Sequence, residues 1–214
     1  MEVKIRLVGS HPLWGHHLWN AARAFASYLD EHRDIYEGRT VLELGAGGGL
    51  PGIVCALNGA KKVMLTDYPD RELVENMQYN VDVNLEEQRK KNVVVQGYLW
   101  GQSVDSLLPL TPDGVGFDLI ILSDLVFNHS QHDALLKTCN LAVSKSSTAC
   151  MLVFYTHHRP KYAQRDLEFF TKARKAGWQC ENILTRRYPP MFPDDHGDEE
   201  VRATVHGWRL TRVP

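Results

Sequence analysis

The stretch Thr40-Val41-Leu42-Glu43-Leu44-Gly45-Ala46-Gly47-Gly48-Gly49-Leu50-Pro51-Gly52 limits the fold more than any other part of the chain. It reads as an apolar strand, a tight turn and the start of a helix, with glycines that let the backbone approach a ligand closely. Amide groups at the helix N-terminus then face that ligand. An acid, Asp67, follows the next β-like run at about the ~20-residue separation that suits a contact to ribose hydroxyls.

Around this turn, β-rich runs at residues 41–44, 63–66, 93–97, 119–122 and 151–155 alternate with helical patterns at 50–58, 70–83, 131–144 and 160–176. That alternation predicts a parallel sheet flanked by helices. Leu18, Ala21, Ala22, Phe25 and Leu29 recur at three- and four-residue steps, which predicts a further helix over about residues 17–31 with its apolar stripe on the sheet. After the third strand, Pro109, Pro112, Gly114 and Gly116 leave little periodicity, so the crossover helix there is expected to be short or absent. Residues 186–200 carry three prolines and five acids and form the long loop between two late β-like runs. No repeat or linker divides the chain, and its 214 residues suit one domain spanning 1–214.

Composition narrows the function classes. With 43% hydrophobic residues, 23% charged residues and a net charge of −2, the chain is an ordinary globular protein with no sign of bulk nucleic-acid or membrane binding. It has neither a bilayer-length apolar run nor the pattern of a signal peptide, so a cytoplasmic location is expected. The four cysteines form no CxxC pair and are read as reduced, core or near-core thiols. His16-His17, His157-His158 and His129-x-x-His132 invite a metal reading. Adjacent histidines on an extended segment point to opposite sides and chelate poorly together, so no metal site is assigned. The abrupt start near Trp19 suggests a trimmed chain, and leaves open whether residues upstream of Val3 cover the site.

A dinucleotide fingerprint GxGxxG would need its third glycine at position 50, which is Leu50. The pattern that fits is acid-x-Gly-x-Gly-x-Gly, at Glu43, Gly45, Gly47 and Gly49. This resembles motif I of the seven-strand, S-adenosylmethionine-dependent methyltransferases. Four further blocks, His17-Leu18-Trp19-Asn20-Ala21-Ala22, Tyr98-Leu99-Trp100-Gly101, Ser123-Asp124-Leu125-Val126-Phe127-Asn128-His129 and Tyr155-Thr156-His157-His158-Arg159-Pro160, are similar to family 16 of those enzymes, the protein-lysine methylating group. Within it the likeness is to the fungal branch that modifies the N-terminal glycine and adjacent lysine of translation elongation factor 1-alpha.

The resemblance implies an α/β fold: a Rossmann-like seven-strand methyltransferase sheet, mostly parallel, with helices on both faces. It implies S-adenosylmethionine as cofactor, elongation factor 1-alpha as protein substrate and a monomer. Carried over by position, Glu43 would help hold the methionine amino group, and the Gly45-Ala46-Gly47 backbone would line the methionine portion. Asp67 would take the ribose hydroxyls, Trp100 would border the adenine, Ser123 would lie beneath it, and Trp19 would reach the cofactor from the first helix. Asp124-Leu125-Val126-Phe127 stands where the family has DxxY, with phenylalanine in place of tyrosine. Asp124 would then orient the amine, Phe127 and Tyr155 would offer aromatic faces, and Tyr155 would supply the missing phenol. The acids of residues 186–200 would border the cleft and steer a basic peptide into it. Two other readings stay open: methylation of a small, nicotinamide-like amine, and a regulatory module that binds the cofactor without turnover.

Overall fold

The computed structural model describes residues 2–111 and 114–212. Its elements run α1 (Asn20–Glu31), β1 (Thr40–Leu44), α2 (Leu50–Leu57), β2 (Lys62–Asp67), α3 (Arg71–Asn84), a single turn α4 (Glu87–Lys90) and β3 (Val93–Gly97). They continue through β4 (Leu119–Ser123), α5 (His132–Ala142), β5 (Cys150–Thr156), α6 (Ala163–Lys175), β6 (Trp178–Arg187), a short α7 (Glu199–Ala203) and β7 (Thr204–Arg212). The strands form one seven-stranded sheet in the order β3-β2-β1-β4-β5-β7-β6. β1 to β5 are parallel, whereas β7 runs antiparallel to both of its neighbours.

Strand periodicity divides the core into two layers. Leu42, Leu44, Ile120, Leu122, Met151 and Val153 face α5 and α6, while Val41, Leu119, Ile121, Leu152 and Phe154 face α1, α2 and α3. Phe25 of α1 stacks on Phe154 with ring centroids 4.1 Å apart, which seats that helix on the sheet. The expected elements recur with shifts of a few residues at their ends. α1 starts at Asn20, three residues later than predicted, because Trp19 is extended at its N-cap. The weak periodicity after β3 corresponds to a 3-10 turn at Leu108–Leu110, with no long helix among the described residues. Pro112 lies outside the described residues.

Residues 4–6 are bonded along α3. Asn76, Asn80 and Asn84 stand one helical turn apart on one face of that helix. Asn80 Oδ1 accepts from the Arg6 amide and its Nδ2 donates to the Arg6 carbonyl, both at 2.8 Å. Asn84 does the same for Lys4, at 2.8 and 2.7 Å. Asn76 Nδ2 adds a 3.0 Å bond to the Arg6 carbonyl. A helix side thus satisfies backbone groups of a segment that has no strand partner. Asn80 Nδ2 also reaches the Gly48 carbonyl at 3.0 Å, so the same residue ties the N-terminal segment to the glycine turn.

Candidate active site

The strand order reverses at β1: the chain leaves it toward β2 and β3 on one side and takes up β4 and β5 on the other. In an open α/β sheet a crevice forms outside the strand C-termini at such a point. A cleft of about 540 Å³ lies there, within the range of sites that enclose a small organic ligand.

Its floor is the glycine turn. Gly45, Gly47 and Gly49 have φ of 61°, 54° and 74°, in the left-handed region where a side chain is strained. A Cβ on Gly45 would lie 2.7 Å from Leu125 and 3.0 Å from Trp100, so this glycine also allows close packing. A Cβ on Gly47 would meet nothing within 4 Å, which leaves the space above that backbone open. Asp67 ends β2, and its Oδ2 accepts from the Gly47 amide at 2.7 Å while Oδ1 accepts from the Tyr68 amide at 2.7 Å. Burial pushes its carboxyl above the ordinary value, and the two amides pull the other way. The two amides hold the carboxylate at the edge of the turn.

Trp19, Gly45, Ala46, Gly47, Asp67, Trp100, Ser123, Asp124 and Phe127 all line this one cleft. Nine of the eleven residues singled out from sequence are thus brought together from five segments of the chain. The Ser123 hydroxyl is buried with no hydrogen-bond partner among the described residues, although it stands in the cleft wall. Buried polar groups normally have a partner, so the hydroxyl stands out in the cleft wall.

Two expectations are corrected by the sheet geometry. Glu43 is fully buried and absent from the cleft lining. It sits on the same strand face as Val41, toward α2, and its Oε2 accepts from the Gly52 amide at 2.8 Å. Burial raises its carboxyl to about 8, a value at which it stays mostly protonated at neutral pH. Glu43 Oε2 thus ties the residue to the start of α2, and the side chain is not among those that line the cleft. Tyr155 faces the opposite layer, 1% exposed, packed against Phe170 and His206. Its alternation on β5 turns it into the core, so it does not replace the phenol missing at Phe127.

The site also contains groups that sequence reasoning passed over. Leu7, Pro12, Leu13 and Trp14 line the cleft from the N-terminal segment, a stretch with no periodicity to mark it. The asparagine spacing on α3 was the one available signal. Beyond β5 the two adjacent histidines do point apart: His157 Nδ1 lies 2.6 Å from Asp166, and His158 Nε2 lies 2.9 Å from Asp124 Oδ2. His129 approaches the other oxygen of Asp166 at 2.6 Å, so that buried acid pins the loop after β4 to the end of β5.

The 186–200 loop abuts the cleft wall. Its Phe192 ring lies 5.3 Å from His17 and 6.0 Å from Trp19, and Asn20 Nδ2 donates to the Pro189 carbonyl at 2.7 Å. Three of its five acids are already engaged: Asp198 caps α7, and Glu199 and Glu200 bind Arg187 at 3.0 and 2.9 Å. Asp194 and Asp195 remain exposed. Among the described residues no helix is long and apolar enough to cross a membrane.

The chain is similar to several known proteins. The chain is 52% identical to the protein N-terminal and lysine N-methyltransferase of Cryptococcus neoformans, covering 98% of this chain and 75% of that protein. It is 47% identical to the Schizosaccharomyces pombe protein of the same description, covering 98% and 82%. Among solved structures, the ribosomal protein L11 methylase of Lactobacillus delbrueckii superposes with a TM-score of 0.57 at 16% identity, over 90% of this chain and 79% of that one. The Pyrococcus horikoshii protein TYW2, in complex with MeSAdo, superposes with a TM-score of 0.56 at 16% identity, over 92% and 65%. At those identities the structures speak for the fold alone. Residues 4–176 match the family described as lysine methyltransferase, and with relatives at this identity over nearly its whole length the chain belongs to that methyltransferase family.

Proposed function

We propose that this protein transfers methyl groups from S-adenosylmethionine to the N-terminal amine and the adjacent lysine of translation elongation factor 1-alpha, acting as a monomer in the cytoplasm. The observation that carries the reading is a single cleft lined by Asp67 and the open glycine backbone together with Asp124 and Phe127. In this reading the first group would face the nucleoside part of the cofactor and the second the amine. The relatives named above are described as modifying both a protein N-terminus and lysine, which supports a protein amine as acceptor.

The residues present suit the cofactor. The orphaned Ser123 hydroxyl and the open space over Gly47 are where a ligand would contact the chain. Asp67 would take the ribose hydroxyls, Trp100 and Trp19 would supply aromatic contact, and the Gly45-Ala46-Gly47 backbone would line the remainder. When bound, the cofactor supplies a methyl group on a positively charged sulfur, so that a carbon–nitrogen bond forms as the carbon–sulfur bond breaks. The protein must present an unprotonated nitrogen in line with that bond. An α-amine, with a reference value of ~7.7 to 8.0, loses its proton more readily than lysine at ~10.4. Phe127 and Leu125 of the cleft lining would give the amine apolar neighbours, which disfavour the ammonium form. Asp124 then fixes the direction of the nitrogen, and positioning is the main contribution of the chain.

The test is incubation with methyl-labelled cofactor and recombinant elongation factor 1-alpha, followed by peptide mass mapping. Label on the first residue and the neighbouring lysine is expected. Label confined to a small molecule, or no label at all, would overturn the assignment.

A further inference from the structure

Asp124 is held in an unusual way. It follows β4 with φ of 59°, one of two non-glycine residues with positive φ among the described residues. A side chain there costs energy that the surroundings must supply, and such strain persists where several contacts fix the residue. Its amide donates to the Phe154 carbonyl at 2.7 Å, and its Oδ1 accepts from the Thr156 amide at 3.4 Å. Its Oδ2 faces His158 Nε2 at 2.9 Å. The imidazole in turn packs on Trp19 of the cleft wall, with ring centroids 4.7 Å apart. His158 is therefore fixed between the Asp124 carboxylate, whose side chain is 3% exposed, and the Trp19 ring, both belonging to residues of the cleft lining.

We propose that Asp124 and His158 form one unit at the amine end of the cleft, in which His158 positions the carboxylate and offsets its charge. The proposal rests on the amine-methylating activity argued above. A carboxylate alone beside a substrate nitrogen stabilises the ammonium, which has no lone pair to react. Paired with an imidazolium, the same carboxylate still accepts a hydrogen bond from the amine, yet the pair is close to neutral and no longer holds the extra proton on the substrate. The site can then orient an amine without trapping its unreactive form. This matters most for lysine, whose proton is the harder to lose.

The charged groups that face His158 are Asp124 from the end of β4, Asp166 from α6 and Arg159 next in the chain. The Trp19 ring packs on His158 without a charge of its own, and His17 packs on Trp19 in turn. Burial works against protonation of His158, but the two acids, Asp124 foremost, outweigh it and lift the imidazole above its ordinary value. The side chain keeps 18% exposure, so it exchanges protons with solvent.

The test compares wild type with His158→Gln, which keeps a hydrogen-bond donor but loses the charge, and His158→Ala, which loses both. Rates of methylation of a lysine-bearing peptide are followed from pH 6 to 10. In both variants the acid limb of the kcat profile should move to higher pH by about one unit, roughly a tenfold loss at pH 7 for each unit of displacement. In parallel, NMR titration of the wild-type imidazoles should find His158 protonated above its ordinary range, and Asp124→Asn should bring it down. That readout needs neither cofactor nor turnover. Coincident pH limbs for wild type and His158→Gln, or a His158 titration indifferent to Asp124→Asn, overturn the paired unit. A wild-type chain that labels no amine at any pH overturns the activity itself, and is distinguished by the absence of product in every sample.

Discussion

Gly45 and Gly47 share a backbone conformation but have different surroundings, and substitution by alanine separates the two roles. Both have positive φ, so an alanine at either costs about 1–2 kcal/mol from the left-handed backbone alone. At Gly45 the new Cβ would also press on Leu125 at 2.7 Å and Trp100 at 3.0 Å. Overpacking of this kind adds about 1–3 kcal/mol, for a total of about 2–5 kcal/mol. In a domain of this size that lowers Tm by about 4–20 °C, against about 2–8 °C for Gly47→Ala. At Gly47 the Cβ enters open space in the floor of the cleft, so the loss there should fall on binding. Denaturation followed by circular dichroism reads the first effect. Calorimetry with the demethylated cofactor product reads the second, with Kd for Gly47→Ala raised at least about tenfold, or ~1.4 kcal/mol. Equal stability of the two variants, or an unchanged Kd for folded Gly47→Ala, would refute this account of the turn.

Three further outcomes are expected. The Glu43 carboxyl is raised to about 8 by burial, so its contribution is fully present below its unfolded value near ~4.5 and is lost as pH rises through the interval up to that folded value. Stability should therefore fall with pH across this window, by at most ~1.4 kcal/mol per unit from this group, and Glu43→Gln should flatten the slope in denaturant titrations. Asn80→Ala removes three bonds to Arg6 and Gly48 at a fully buried site, and should cost about 2–4 kcal/mol while speeding proteolysis within residues 4–18. Neutralising Asp194 and Asp195 should reduce the salt dependence of kcat/KM for a basic peptide, whereas Glu199→Gln with Glu200→Gln should change it less, since Arg187 already offsets those acids. Identical salt slopes in both double variants would make the loop merely solvated surface.

What the sequence alone determined is local. The strand, glycine turn and helix at residues 40–57 follow from side chains that are absent where the backbone turns and apolar where it is covered. The regular βα alternation then leaves few ways to arrange a parallel sheet, which is why a mostly parallel sheet with a cleft at its glycine turn was within reach. Likeness of short blocks to a known family pointed to residues such as Trp19, Trp100 and Asp124, which no periodicity would have singled out. What only the tertiary structure decided is direction. Glu43 and Tyr155 each occupy a strand position whose alternation carries the side chain away from the cleft, and that depends on which face the neighbouring helices cover. The bond between His158 and Asp124 joins residues 34 positions apart, and the asparagines of α3 meet Arg6 across 70 and 74. Such pairings have no periodic signature, because they arise only when the completed sheet brings the ends of β4 and β5 together and leaves backbone groups of the N-terminal segment in need of partners.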